Sequence, residues 1–521
     1  MSGRERPVRS AVVSRLTVVH EVDTAGRDAL LAERADVVVE TPPVRGRYGL
    51  AEGPFDAYER TVDVQELAAG RFRVTERMRY RLAIPYFGWI FWWGARWALR
   101  HWRRGDGRQP WWAPPQRLDA RSSRVLGSLA MAAVFAGYLG TVVSQTMAFA
   151  ADEFDASDTA QGTALATVRV GALLALAVVA VADRRGRQRV AIVCIVAGVT
   201  VTASGAFAPG LEWLAASQVV GRSFATALGV LLAVMIVEEM PSGARAYGAS
   251  LVGMAGALGA GLCVASLSLA DLDERGWRLL YLIPLAGLPV VPGLGRRLPE
   301  SKRFRPRPHG VTMQGHWHTF VLVALTLFCV NLLVGPASQF RNEYLDDELG
   351  WSAWLISLFI LTTATPAGMG VFFGGRLADV FGRRRVGPPA LVVGMCLVAA
   401  LFWTSGAWVW VVGFAGTAIA GMYAPVAAVY GPELFPSAIR NRANGGITVV
   451  QIAGSALGLI TAGVLSDHYG RLGVPMALLV AGPVAAAVLI WLRYPETTRR
   501  ELEELNPEDA RALAERQVDE R

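Results

Sequence analysis

Three charged motifs occur twice in this chain, and their spacing bears directly on chemistry. Asp183-Arg184-Arg185-Gly186-Arg187 returns as Asp379-Val380-Phe381-Gly382-Arg383, 196 residues later. Glu238-Glu239-Met240-Pro241, with Arg245 beyond it, returns as Glu433-Leu434-Phe435-Pro436 with Arg440, 195 residues later. Pro299-Glu300-Ser301 returns as Pro495-Glu496-Thr497, again 196 residues on. One nearly constant offset over three motifs means two homologous halves. Carboxylates placed this way can pair with the arginines or cap the N-terminus of a neighbouring helix. The expected pairs are Glu238 with Arg245 and Glu433 with Arg440, each straddling a proline turn. Ion pairs at one face can hold two halves together and release them.

Two further arginines stand inside apolar stretches. Arg169 lies 14 residues from Asp183 and Arg222 lies 16 from Glu238, which places both roughly 21–24 Å from those acids along a helix. Charge at membrane depth is costly and usually functional; each arginine either bonds backbone carbonyls or faces an anion. Polar side chains also recur at helical spacing, as in Tyr138, Thr141 and Gln145, or Gln218, Arg222 and Thr226. Asn331, Ser338 and Gln339 form a third such set, and Thr448, Gln451 and Ser455 a fourth. Small polar residues also glue helices together. The expected cavity lining is Arg169, Arg222, Gln145, Gln218, Asn331, Gln339 and Gln451, with Tyr423 as an aromatic wall.

Other reactive side chains point to little. His316 and His318 flank Trp317, with His309 nearby, and no thiolate or carboxylate cluster supports a metal site; they read as membrane-edge residues. Cys194, Cys263, Cys329 and Cys396 lie far apart, each in an apolar stretch, and read as buried thiols without a disulfide framework. No nucleophile–base set or phosphate loop points to an enzyme, and no cofactor is implied.

The elements that carry these residues follow from composition. Of 521 residues, 53% are hydrophobic and only 18% charged, against roughly 25% charged in soluble domains. Charge is dense before Arg124 and after Pro495 and sparse between. A spanning helix needs about 20 apolar residues, and twelve segments qualify: 125–150, 160–181, 190–208, 212–237, 246–269, 277–295, 319–340, 353–375, 387–405, 408–430, 444–466 and 473–493. This is an all-α membrane protein of twelve transmembrane helices in two pseudo-symmetric six-helix bundles. One set of short loops holds seventeen arginines and lysines, while the opposite set holds only Arg275, Arg278, Arg341 and Arg471. That asymmetry places both termini in the cytoplasm. The net charge of +8 sits in loops, where anionic lipid explains it better than nucleic acid. The polar, arginine-rich opening residues do not read as a signal peptide.

Residues 1–110 read as a separate, small α+β domain. Tyr58–Glu66 and Arg71–Ala83 alternate polar and apolar around Ala68-Ala69-Gly70, the pattern of a β-hairpin. Ile84–Trp102 is dense in tryptophan and gains Arg96 and Arg100, with Arg103 and Arg104 following; it reads as an interfacial helix with snorkelling arginines. The remaining divisions are a stiff linker at 111–124, bundles at 125–298 and 319–496, a cytoplasmic linker at 299–318, and a charged tail at 497–521. In the tail, Asn506 is placed to cap a short helix before Pro507.

From about Arg124 to Arg500 the sequence resembles the major facilitator superfamily. Gly375-Arg376-Leu377-Ala378-Asp379, with Gly382-Arg383-Arg384-Arg385, is close to that superfamily's loop signature. Pro299-Glu300-Ser301, Pro495-Glu496-Thr497 and Gly221-Arg222 further resemble its sugar-porter and organic-ion branch. The resemblance implies alternating access, a central site between the halves, and cytoplasmic charge networks as gates. Here the gating set is Asp183, Arg187, Glu238, Arg245, Asp379, Arg383, Glu433 and Arg440. The pattern departs in three places. Leu139 follows Gly137-Tyr138 where proton-coupled sugar porters carry an aspartate, Val179 replaces the leading glycine of the first loop motif, and Arg222 lies about one turn nearer to Glu238. The expected function is a secondary transporter of a small polar, anionic organic metabolite. Arginine stays protonated, and a solute carboxylate or phosphate would satisfy it. A sugar or polyol facilitator, a non-transporting sensor and a lipid-handling protein are the alternatives. The expected partners are the solute, the lipid bilayer and, as candidate coupling ion, protons, with the chain acting as a monomer.

Overall fold

A computed structural model of the protein describes residues 14–44, 46–101, 109–156, 158–298, 300 and 313–510. Lys302, Arg303, Arg305 and Arg307, with Pro299, Ser301, His309, Arg103 and Arg104, lie outside the described residues, as does the side chain of Arg169. The chain divides into two units, Met1–Ser128 and Leu129–Arg521.

Polar–apolar alternation builds the first unit. The expected hairpin is present as β4 (Phe55–Ala68) and β5 (Arg71–Leu82), paired antiparallel with Glu59 opposite Arg79. Gly70 takes the positive φ of 74° that the tight turn requires. A strand absent from the sequence reading, β1 (Ser14–Asp23), pairs with β5. Two short strands, β2 (Val39–Glu40) and β3 (Arg47–Glu52), complete a five-stranded sheet of order β1-β5-β4-β3-β2. Helix α1 (Thr24–Leu31) follows β1, and helix α2 (Gly88–His101) lays Ala98 and Leu99 on the sheet's apolar face of Leu16, Val18, Met78 and Tyr80. The core also holds fully buried charge. Arg60 donates to Glu40 at 2.6 Å and to Glu76 at 2.8 Å, and to the carbonyls of Leu30 and Ala32, so each buried ion is compensated. Burial, then the Glu40 carboxylate, pushes the Tyr58 phenol well above its usual range. The stretch 111–124 is engaged with this unit: Trp112 packs on its core and Arg117 donates to the carbonyls of Asp36 and Ala35.

The second unit is helical. Its first half holds α3 (Ala120–Glu153), α4 (Asp158–Arg185), α5 (Arg187–Ser204), α6 (Leu211–Glu239) and α7 (Arg245–Ala265). The sixth span is broken by prolines into α8 (Arg278–Leu282), a 3₁₀ stretch and α9 (Val291–Arg297). The second half holds α10 (Trp317–Glu343), α11 (Ala353–Phe381) and α12 (Arg383–Ala400). It continues with α13 (Ala407–Gly421), α14 (Ala424–Glu433), α15 (Arg440–Tyr469), α16 (Gly473–Leu479) and α17 (Ala481–Arg493). A short α18 (Leu502–Leu505) follows. Among the described residues eleven stretches are long and apolar enough to cross a membrane; α4, with 28 residues, fills the remaining place of the twelve. Leu173, Val193, Leu258, Leu361 and Val464 are exposed, as a lipid-facing surface requires.

Small residues let the helices touch in the same way in both halves. Gly259 of α7 lies on the Val134 carbonyl of α3, and Gly458 of α15 lies on the Leu332 carbonyl of α10; a Cβ has no room at either place. One cysteine corrects the sequence reading. Cys194 and Cys263 are buried and Cys329 half-buried, but Cys396 is exposed, because α12 presents it beside exposed Val393 on its outward side. The core shares no repeat with residues 1–110. A chain starting near Arg117 is therefore expected to insert and to elute as one monodisperse species in size exclusion; aggregation would show that the core needs the first unit.

Candidate functional site

The duplicated motifs converge on one face, the arginine-rich one. Glycines at 186 and 382 end α4 and α11 with φ of 101° and 102° and ψ of 142° at both, a conformation that L side chains rarely adopt. These turns start α5 and α12, whose first amides need acceptors. Glu300 accepts from the Arg187 amide at 2.8 Å, and Glu496 from the amides of Arg383 and Arg384 at 3.1 Å. The repeated Pro-Glu pairs are thus helix caps, a role that sequence reading missed although the repeat marked them. Burial alone would raise the Glu496 carboxyl; the Thr498 hydroxyl and the amides of Arg384, Thr498 and Arg383 outweigh it and hold it below the ordinary glutamate range. Its contribution to stability is present above that range and is lost as pH falls through the lowered value.

The latch carboxylates pair differently from the expectation. Glu238 binds Arg187 of its own half and Arg440 of the other. Glu433 binds Arg383 of its own half and, at 3.0 Å, Arg245 of the other. The expected pairs, Glu238 with Arg245 and Glu433 with Arg440, are replaced by crossed ones. The reason is geometric: Pro241 and Pro436 follow the carboxylates, and Arg245 and Arg440 begin new helices beyond those turns. All four arginines and both glutamates are buried.

The aspartates cross as well. Asp379 accepts from the amides of Tyr247 at 2.9 Å and Ala246 at 3.3 Å, capping α7 of the first half. Asp183 meets the start of α15 through side chains instead, accepting from Asn441 at 2.6 Å and lying 3.4 Å from Arg442. Two buried clusters result, Glu238 with Arg187 and Arg440, and Glu433 and Asp379 with Arg383 and Arg245, and each contains groups from both halves. Isolated buried charge is expensive, and removing one partner of such a pair typically costs about 3–5 kcal/mol.

The charged tail joins these clusters, which its acidity alone did not reveal. Asp509 lies 3.2 Å from Arg440 and accepts from the Ser437 amide at 2.9 Å. The Arg500 carbonyl accepts from Arg245 at 2.9 Å, and Thr497 accepts from Arg383 at 2.6 Å. Asn506 precedes helical residues 507–510, but its side-chain amide donates to the Glu433 carbonyl at 2.9 Å. His316 contacts Glu508 at 3.2 Å.

The expected cavity residues scatter. Arg222 is half-buried on α6 and donates to the Gly140 carbonyl of α3. Gln218 is turned away from the other half: it is buried and reaches the Thr202 carbonyl of α5 at 3.4 Å. Asn331 donates to the Leu327 carbonyl of its own helix at 2.8 Å. Gln145 and Gln451 are half-buried on α3 and α15, Gln339 is exposed near the end of α10, and Tyr423 is buried between α13 and α14. The backbone of Arg169 lies on α4. Among the described residues no cluster of metal-binding side chains occurs.

Two homologous helical bundles of membrane-spanning length, interlocked through crossed ion pairs, define the class of membrane protein to which the fold belongs. The chain belongs to the Major Facilitator Superfamily, which it matches over residues 129–340 and 319–518. It is 26% identical over 351 residues to the probable actinorhodin transporter of Streptomyces coelicolor, an alignment that covers 63% of this chain. The chain spans 56% of that relative's length. Its fold is similar to that of the proton:xylose symporter XylE bound to 6-bromo-6-deoxy-D-glucose, with a TM-score of 0.64 and 18% identity, covering 74% of this chain and 99% of the other. It is also similar to the human organic anion transporter MFSD10, with a TM-score of 0.58 and 13% identity over 71% and 99% of the two chains.

Proposed function

We propose that the chain is a secondary transporter that carries a small polar, anionic organic metabolite across the plasma membrane by alternating access. The observation that carries this reading is the crossed assembly. Each half supplies a carboxylate to the other half's arginine, so closing this face forms those bonds and opening it breaks them. Asp183, Arg187, Glu238, Arg245, Asp379, Arg383, Glu433 and Arg440 are the gate in this reading, and the excess of arginine in the loops on that side supports a cytoplasmic position for it and for both termini. The chain works as a monomer, with protons as the coupling ion to test first.

The anionic substrate rests on Arg222 and Arg169, cations within spanning helices at matching depth. Arg222 donates to the Gly140 carbonyl of α3, and its guanidinium can also offer an anionic solute both charge and bidentate hydrogen bonds. The names of the similar proteins include an organic anion transporter and a sugar symporter; the charge in the spans favours the first. Uptake into proteoliposomes, screened across metabolite classes with and without a proton gradient, tests the reading. Arg222→Gln is expected to weaken binding of an anionic substrate at least tenfold while leaving the melting temperature within a few degrees. Binding that survives in both R222Q and R169Q, or a substrate that is cationic or neutral, overturns the anionic assignment.

A further inference from the structure

We propose that the exposed face of α2 is a membrane-docking surface that seats in the headgroup layer of an anionic bilayer. This helix belongs to the first unit, outside the region matched to the transporter family. Trp89, Trp93 and Trp97 are 74%, 73% and 46% exposed, and Ile90 beside them is 48% exposed. At about 100° per residue the three tryptophans fall within an arc of about 80°. The opposite side is committed to the sheet through Ala95, Ala98 and Leu99, all buried. The exposed stripe therefore adds nothing to the unit's own core, and placing it in water is unfavourable.

Three features select lipid as the occupant. Tryptophan, with an apolar ring and one N–H donor, is the residue suited to the headgroup boundary. By the same helical count Arg100, which is exposed, lies within about 20° of Trp89, while the half-buried Arg96 donates to the Arg15 carbonyl at 3.1 Å; α2 contains no acidic residue. That exposed basic charge without acidic neighbours complements anionic headgroups. Its 14 residues give a length of about 21 Å, too short for a hydrocarbon core of about 30 Å. The helix lies in the boundary layer rather than across it.

The test uses the full chain in nanodiscs of phosphatidylcholine with phosphatidylglycerol, with the four native cysteines replaced by serine. A spin label at Trp93→Cys is compared with one at Arg77→Cys, an exposed site on the other face of the sheet. Position 93 is expected to be reached by oxygen and shielded from a water-soluble nickel chelate, at a depth of about 5–10 Å, while position 77 is reached by nickel. Reversing the exposed charge, R100E, should raise nickel access at 93 several-fold. Equal nickel access at 93 and 77 overturns the proposal, and so does a label reached by neither reagent, which would mean that protein covers the face. Shielding that ignores the charge reversal overturns the anionic part. If W93C fails to fold, Ile90→Cys reads the same face.

Discussion

Replacing both Glu238 and Glu433 by glutamine is expected to open the arginine-rich face. Each carboxylate pairs with two buried guanidiniums, one from each half. Breaking one buried pair typically costs about 3–5 kcal/mol, and that cost falls only on the closed state, because the arginines rehydrate once the halves part. Moving a two-state equilibrium from 99:1 to 1:99 takes about 5.5 kcal/mol, so the double variant has enough to invert the population and each single variant does not. Spin labels at Arg185 and Phe381, exposed sites at corresponding places in the two halves, should move from a short-distance to a long-distance population. An unchanged distance distribution in a folded double variant would show that other contacts hold the face shut.

Asp379→Asn is expected to slow exchange far more than Asp183→Asn. Asp379 is fully buried and caps α7 with two backbone hydrogen bonds, whereas Asp183 works through the side chains of Asn441 and Arg442. Hydrogen bonds to a charged group contribute about 1.5–3 kcal/mol. An asparagine can retain one acceptor contact, so D379N should lose roughly tenfold or more in exchange rate in reconstituted vesicles, with insertion intact. D183N should lose less, since its partners can reorient towards the remaining oxygen. Equal rates for D379N and the wild type would remove Asp379 from the gate.

Where the motif was local and periodic, the chain could be read. The constant offset gave two halves, apolar length gave the spans, and strict alternation gave the β4–β5 hairpin. Partner choice could not be read in this way. Glu238 is 7 residues from Arg245 and 202 from Arg440, yet the distant arginine is the one it binds, because Pro241 starts a turn between the near pair. The tail was opaque for the same reason: nothing in the spacing of Asp509 shows that it folds back onto Arg440. Gln218 shows the limit of helical periodicity. It shares a spacing with Arg222 and Thr226, but drift around α6 carries it into the seam with α5, and periodicity cannot say which neighbour a stripe meets.

The matched turns at 186 and 382 have a consequence for anyone diversifying this protein. Each glycine combines a backbone conformation closed to L side chains with a position where a Cβ would run into the capping carboxylate, Glu300 in one half and Glu496 in the other. The two demands are independent, so no compensating change at either glutamate makes room for alanine without also accepting the strained φ. A saturation library over these two codons should return only glycine among transport-competent clones. The flanking arginines at 184 and 385 should accept many replacements. Recombination with distant relatives is therefore best cut elsewhere, since a crossover that separates either glycine from its own glutamate breaks a joint that the rest of the fold cannot rebuild.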